Sequence, residues 1–218
     1  MGHLHEFRTS FVDAPNSFGA RYRARRWAWL KATFPQIGQM SVIDLGGTAD
    51  AWLRAPVRPA HVHLVNLESP PAVLPEWMET DRADACELPD SILGGPYDLV
   101  ISNSVLEHVG GHERRQRFAD AVHRLADRHW IQTPYRYFPV EPHWLFPGFQ
   151  FLPAAARTVV ARHWPLVHTP PADRATALRT ALSVELVSRT ELAFYFPGSQ
   201  IRAERMAGLV KSLIAVKA

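Results

Sequence analysis

The chain has 218 residues, with 24 Lys and Arg against 21 Asp and Glu, a length suited to one well-buried core rather than two independent ones. The formal charge of +3 with a pI near 9.3 reflects scattered arginines rather than a basic tail and argues against nucleic acid as the main partner. Hydrophobic content of 47% and a mean hydropathy of -0.14 describe a soluble globular protein: no stretch approaches the roughly 18 apolar residues of a membrane span, the start MGHLHEFRTS lacks the profile of a signal peptide, and the lone Cys86 makes a reducing cytoplasm the expected compartment.

Residues 17–34 read as a helix, closed by Pro35, and residues 1–40 as an N-terminal helical cap. In it Arg21, Arg23, Arg25 and Arg26 alternate with Tyr22, Trp27 and Trp29, which fits either a solvated helix face or a guanidinium clamp for an anion. Ser41 to Leu45 is a short buried strand that runs through Asp44 into Gly46 and Gly47, a turn where a missing Cβ lets the backbone approach a ligand. Pro56 and Pro59 limit the next helix to about Ala51–Ala55. His61 to Leu67 alternates as a second strand and ends at Glu68; Pro70, Pro71 and Pro75 then enforce a loop. Arg82 to Pro89 reads as a third strand, and Tyr97 to Ser102 as a fourth.

The segment NSVLEHVGG leaves the sheet for a helix over 112–127, whose Phe118, Ala121, Val122 and Leu125 share one face. Arg128 to Thr133 is the fifth strand, stopped by Pro134. The following YRYFPVEPHWLFPGFQFLP is too rich in proline for a long regular element, and residues 134–180 read as a site cover. It contains a helix at Pro153–His163 and a lid-like segment from Pro165 to about Ala175. Ser188 or Thr190 caps a helix ending at Pro197–Gly198. Two last strands, Gln200–Met206 and Leu209–Val216, are too close for a crossover and must pair antiparallel. The whole is an α/β chain in a single domain, 1–218.

An open parallel sheet binds ligands outside the carboxyl ends of its strands. Glu68, with Asn66 beside it, suits the hydroxyls of a ribose, because a carboxylate accepts two hydrogen bonds at once. Asp84 suits the exocyclic amine of an adenine, with Ala85 and Cys86 offering backbone groups.

The ordered set VIDLGG, VNLE, DACELP and YDLVISNSVLEHV, closed by Phe196–Pro197–Gly198 and a hairpin, resembles the class I S-adenosylmethionine-dependent methyltransferases, in particular their type 11 small-molecule group, from about residue 20 onward. The abundance of arginine, alanine and proline resembles chains from high-GC genomes such as those of actinobacteria. The resemblance implies a doubly wound, seven-stranded Rossmann-like sheet, mostly parallel with an antiparallel C-terminal hairpin. It implies S-adenosylmethionine as cofactor, with Asp44 near the methionine amino group, Gly46 and Gly47 admitting the cofactor, and Asn103 at the end of the fourth strand. The first loop departs from the family pattern: Thr48, Ala49 and Asp50 follow the glycines where alternate glycines are usual.

Methyl transfer requires alignment of nucleophile, methyl carbon and sulfur, and for a hydroxyl acceptor a proton must also leave, a task for neutral histidine. His143, with Glu141 two residues away, is the favoured base, and His108 the second; Glu107, Tyr135, Tyr137 and Trp144 are candidate acceptor contacts, while His112 reads as surface. Glu141, His143 and His108, with His112, could gather around a divalent metal such as magnesium, although their spacing matches no compact metal motif. The expected reaction is O-methylation of a small metabolite, a sugar or glycoside first, by a cytoplasmic enzyme with a possible homodimeric state. The alternatives are a lipid, quinone or nitrogen acceptor, or a non-catalytic nucleotide-binding regulatory module. A nicotinamide enzyme is disfavoured because the three-glycine fingerprint is missing.

Overall fold

The structure, a computed structural model, describes residues 18–68, 73–167 and 171–218. The start of the expected cap, the Pro70–Pro71 bend and the centre of the 165–175 segment lie outside the described residues. The strands are β1 (Ser41–Leu45), β2 (His61–Asn66), β3 (Met78–Arg82), β4 (Leu99–Asn103), β5 (His129–Pro134), β6 (Val140–Glu141), β7 (Phe146–Pro147), β8 (Gln200–Met206) and β9 (Leu209–Lys217). The helices are α1 (Phe18–Thr33), α2 (Ala49–Leu53), α3 (Asp90–Leu93), α4 (His112–Leu125), α5 (Ala154–His163), α6 (Arg174–Leu182) and α7 (Arg189–Tyr195).

Seven strands form one sheet in the order β3-β2-β1-β4-β5-β9-β8. The first five are parallel, and β9 lies antiparallel between β5 and β8. The order therefore reverses between β1 and β4. Successive side chains of a strand face opposite sides of the sheet, and both sides are packed. Ile43, Leu45, Val100, Ile131 and Leu213 meet Phe118 and Val122 of α4 and Leu192 and Tyr195 of α7. Val42, Val62, Leu64, Leu99, Trp130 and Ile214 meet Leu30 of α1 and Trp52 of α2 on the other side. Among the described residues, no helix is long and apolar enough to cross a membrane.

The expected strands are found with one displacement. The third is Met78–Arg82, not Arg82–Pro89: it pairs with β2 from Val62↔Met78 to Asn66↔Arg82. As an edge strand it buries only Met78, so its sequence METDR carries no apolar run, whereas 83–89 turns back on the Asp84 side chain. The helix after β1 starts and stops two residues earlier than expected, because Thr48 caps it by accepting from the Ala51 amide. Ser188, not Thr190, caps α7, in a reciprocal box with Glu191. Helix α6 was not foreseen; its residues Ala177 and Ala181 pack with Trp144, Phe149 and Ala161 in a small separate core. The proline-rich stretch after β5 holds one small hairpin, β6–β7, paired at Val140↔Pro147 and Glu141↔Phe146.

Candidate functional site

The carboxyl ends of β1, β2, β4 and β5 converge where the strand order reverses. β1 delivers Asp44 to this place buried, with one carboxylate oxygen accepting from the Trp52 indole N–H at 2.8 Å. Burial outweighs that hydrogen bond and pushes the Asp44 pKa up to about 7. The glycines that follow have separate reasons to lack a side chain. Gly46 has φ +83, and a Cβ there would collide with Val105; at Gly47 a Cβ would collide with the Asp44 carboxylate itself.

Asn66 fixes this turn from the end of β2. Its side-chain amide donates to the carbonyls of Gly46 and Gly47 at 3.3 and 3.1 Å, and its oxygen accepts from the Glu68 amide at 3.2 Å. Asn66 thus shapes the loop while Glu68 stays exposed beside it. Thr48 and Asp50, which stand where glycines are usual, serve α2: Thr48 caps it, and Asp50 pairs with Arg54 at 3.3 Å on the surface.

Asp84 lies in the turn after β3. One oxygen accepts from the Cys86 amide at 2.9 Å; the other meets the Arg114 guanidinium on α4. Burial alone would raise the Asp84 pKa, but the Cys86 amide and Arg114 together hold it below the ordinary value. Burial pushes the Cys86 thiol up to about 11, so it stays protonated and donates to the Arg114 carbonyl at 3.3 Å. Ala85 is half-buried between them. Arg114 was missed from sequence, although an arginine in a first helical turn, where the helix dipole favours acids, is a usable signal.

β4 ends in Asn103, whose buried Oδ1 has no partner among the described residues. Ser104 follows with φ +56, held by its amide to the Gln132 carbonyl at 2.9 Å and by its hydroxyl to Gln132 Oε1 at 3.1 Å. Three residues on, Glu107 is fully buried; one carboxylate oxygen accepts from the Thr133 hydroxyl of β5 at 2.9 Å, and the other has no partner among the described residues. Burial raises the Glu107 pKa to about 7.

His143 is presented at the tip of the β6–β7 hairpin. Its Nε2 lies 3.1 Å from Nε2 of His108, with the rings edge to face, and its Nδ1 lies 2.6 Å from Glu141. Glu141 is only 2% exposed, and its second oxygen accepts from the Trp144 amide at 2.8 Å. Desolvation of the His108 ring against its neighbours, followed by the nearby His143, pushes its pKa down to about 4, while the residue as a whole keeps an exposed face. The structure therefore brings together Glu107, His108, Glu141 and His143. His112 is not among them, since its Nδ1 meets the Tyr195 hydroxyl at 2.8 Å. Thr133, the hydrogen-bond partner of Glu107, was not singled out from sequence.

Of the aromatic candidates, Tyr137 and Phe151 stack with centroids 6.0 Å apart and are both more than half exposed. Tyr135 abuts Tyr137 edge-on at 5.5 Å. Trp144 is instead buried, stacked on Phe149 at 4.7 Å. Its ring anchors the hairpin, and its backbone orients Glu141.

No protein-family model and no curated protein matches the chain. Solved structures do. The chain is similar to a magnesium protoporphyrin IX methyltransferase from Synechocystis PCC 6803 with bound SAH (S-adenosylhomocysteine), at 15% identity over 97% of this chain and 92% of that one, TM-score 0.56. It is similar to the 1,6-didemethyltoxoflavin-N1-methyltransferase of Burkholderia thailandensis with bound 1,6-didemethyltoxoflavin and S-adenosylhomocysteine, at 17% identity over 98% and 85% of the two chains, TM-score 0.51. It is also similar to the N-terminal domain of EvdMO1 crystallised in the presence of SAH and D-fucose, at 15% identity over 90% and 82%, TM-score 0.52. At these identities the likeness establishes a shared fold.

Proposed function

We propose that this chain, whose fold is that of the class I S-adenosylmethionine-dependent methyltransferases, transfers a methyl group from S-adenosylmethionine to a hydroxyl of a small metabolite, a sugar or glycoside before other classes. The observation that carries the reading is the histidine pair held by Glu141 at the carboxyl ends of β4 and β5, on a sheet whose first strand ends in a turn that two glycines let close tightly against Asp44 and Val105. In this reading residues 134–180 cover the acceptor within one methyltransferase domain.

The residues fit the cofactor. Gly46 and Gly47 let the turn close against Val105 and Asp44, where a Cβ would collide, Asp44 would offer a carboxylate to the methionine ammonium, Glu68 is exposed toward ribose hydroxyls, and Asp84 with the 85–86 backbone would lie at the adenine. Asn103 contributes a buried oxygen still lacking a partner among the described residues. When bound, S-adenosylmethionine supplies a methyl group already activated on a sulfonium, so the protein's task is positioning and proton removal.

The proton's route follows from the hydrogen bonds. Glu141 accepts from Nδ1–H of His143, which leaves the lone pair on Nε2. In the resting chain His108 donates its Nε2–H to that lone pair. An acceptor hydroxyl takes the place of His108, and His143 Nε2 receives its proton while Glu141 steadies the resulting imidazolium. Such general-base assistance is worth on the order of 100- to 10,000-fold in rate.

Calorimetry and a methyl-transfer assay test the reading together. His143→Ala is expected to keep the wild-type affinity for S-adenosylmethionine and to lose about 100-fold or more in turnover on a hydroxyl acceptor. Absence of saturable cofactor binding, or full turnover in the variant, overturns it. The exposed stack of Tyr137 and Phe151 also supports a second reading, in which the acceptor is planar or lipid-like; a panel of sugars, phenols, quinones, nitrogen heterocycles and lipids separates the two. Cofactor binding with no turnover on any of these would favour a non-catalytic regulatory module.

A further inference from the structure

We infer that Glu107, His108 and His143 form a site for a divalent transition metal of the zinc class, with Glu141 as the positioning residue for His143. Ligand atoms of the three residues all lie within 4.8 Å of one another. The two Nε2 atoms are 3.1 Å apart, and nitrogens that share one ion at about 2.0–2.1 Å come to lie roughly 3.0–3.4 Å from each other. The spacing is thus already that of two ligands on one ion.

The third ligand has an independent mark. Glu107 is completely buried, yet one of its oxygens has no hydrogen-bond partner among the described residues, a costly arrangement for a carboxylate unless something fills it. Its other oxygen is fixed by Thr133, so the free one is held in a defined direction. The outer arrangement is also that of a metal-binding histidine. The remaining ring nitrogen of His143 faces a buried carboxylate at 2.6 Å, and that carboxylate is itself held by the Trp144 amide; such partners orient the ring and raise its basicity toward a metal.

The donor set selects the ion. Two imidazoles and one carboxylate suit zinc, iron or cobalt, whereas magnesium and calcium prefer oxygen throughout. Three protein ligands leave coordination positions open, as in sites that act on a substrate. His108 is exposed and gives the ion a way in. On the methyl-transfer reading, on which this consequence rests, the open position takes an oxygen of the acceptor and lowers its pKa. The lone pair of His143 then holds either the ion or the acceptor's proton, so metal loading exchanges one means of activating the hydroxyl for another.

Cobalt titration of the chelator-treated full chain tests the site, with visible ligand-field bands as the readout, alongside zinc calorimetry. The wild type is expected to bind a single ion per chain and to develop those bands. The double variant His108→Ala/His143→Ala is expected to lose them, and Glu141→Gln to weaken binding about 10- to 100-fold. A wild type that shows no bands overturns the proposal without recourse to any variant, as do bands that persist in the double variant or binding of magnesium in place of cobalt. Cofactor calorimetry on the same samples keeps the two readings apart. Cofactor binding without cobalt binding sinks only the metal site, and cobalt binding without cofactor binding sinks only the methyltransferase reading.

Discussion

Asp44 is costly to the free protein. Its ordinary pKa of 3.8 rises to about 7 on folding because burial penalises the charge. Between those values the unfolded chain gives up the proton first, so folded stability falls as pH rises from about 4 to 7 and stays reduced above that. Asp44→Asn keeps an oxygen for the Trp52 indole and removes the titration. The variant is expected to melt at or above the wild-type temperature at pH 8, to converge with it near pH 4, and to bind S-adenosylmethionine about 10-fold or more weakly, since a hydrogen bond to a charged group contributes about 1.5–3 kcal/mol. Thermal unfolding across pH with calorimetry at pH 8 checks both. Residues such as Asp44, Glu107, Glu141 and His143 were legible in the sequence because they are polar groups that follow apolar strands or sit among aromatic residues. Thr133 was not, and Arg114 was marked only by its unusual place in a first helical turn, because their roles arise from contacts with Glu107 and Asp84, 26 and 30 residues away, and sequence spacing does not say which residues will meet.

The same distinction holds among the elements. Strands buried on both faces announce themselves as apolar runs, and β1, β2, β4 and β5 were found close to their true bounds. The edge strand β3 buries one residue of five and offers no such signal, so the sequence points instead to the neighbouring RADACELP, Arg82 to Pro89. Local capping chemistry, by contrast, is written in adjacent residues. The Ser188–Glu191 box starts α7 and also holds the strand-like segment before it, because Glu191 pairs with Arg136 at 2.9 Å while Arg136 donates to the Leu186 carbonyl. Ser188→Ala is expected to cost about 1 kcal/mol, read as a lower midpoint in urea unfolding with an unchanged slope.

At the scale of the molecule, α1 is fastened across the sheet by one residue of its arginine cluster. Arg26 donates to Gln132 of β5 at 2.9 Å and pairs with Glu204 of β8 at 3.0 Å, a contact between residues 178 positions apart. Glu204 is fully buried, and Lys211 adds a second fastening over the Tyr22 ring at 4.5 Å. Arg21, Arg23 and Arg25 are exposed, as a solvated face requires, whereas Arg26 turns inward and ties the helix to the sheet. Arg26→Ala strands a buried carboxylate and is expected to cost about 3 kcal/mol or more. Arg26→Ala/Glu204→Gln should recover part of that loss, and protease cleavage within α1 should accelerate in the single variant; chemical denaturation and timed proteolysis measure the two effects.

The reversal of strand order between β1 and β4 has an effect on inheritance as well as on shape. On the proposed reading, the groups that meet the cofactor's amino acid, ribose and adenine lie between residues 44 and 86, with Asn103 alone added from β4, and the groups that meet the acceptor lie from 107 onward, on the other side of that seam. Changes in acceptor preference can therefore accumulate in the later part of the chain while the earlier part continues to bind the same donor.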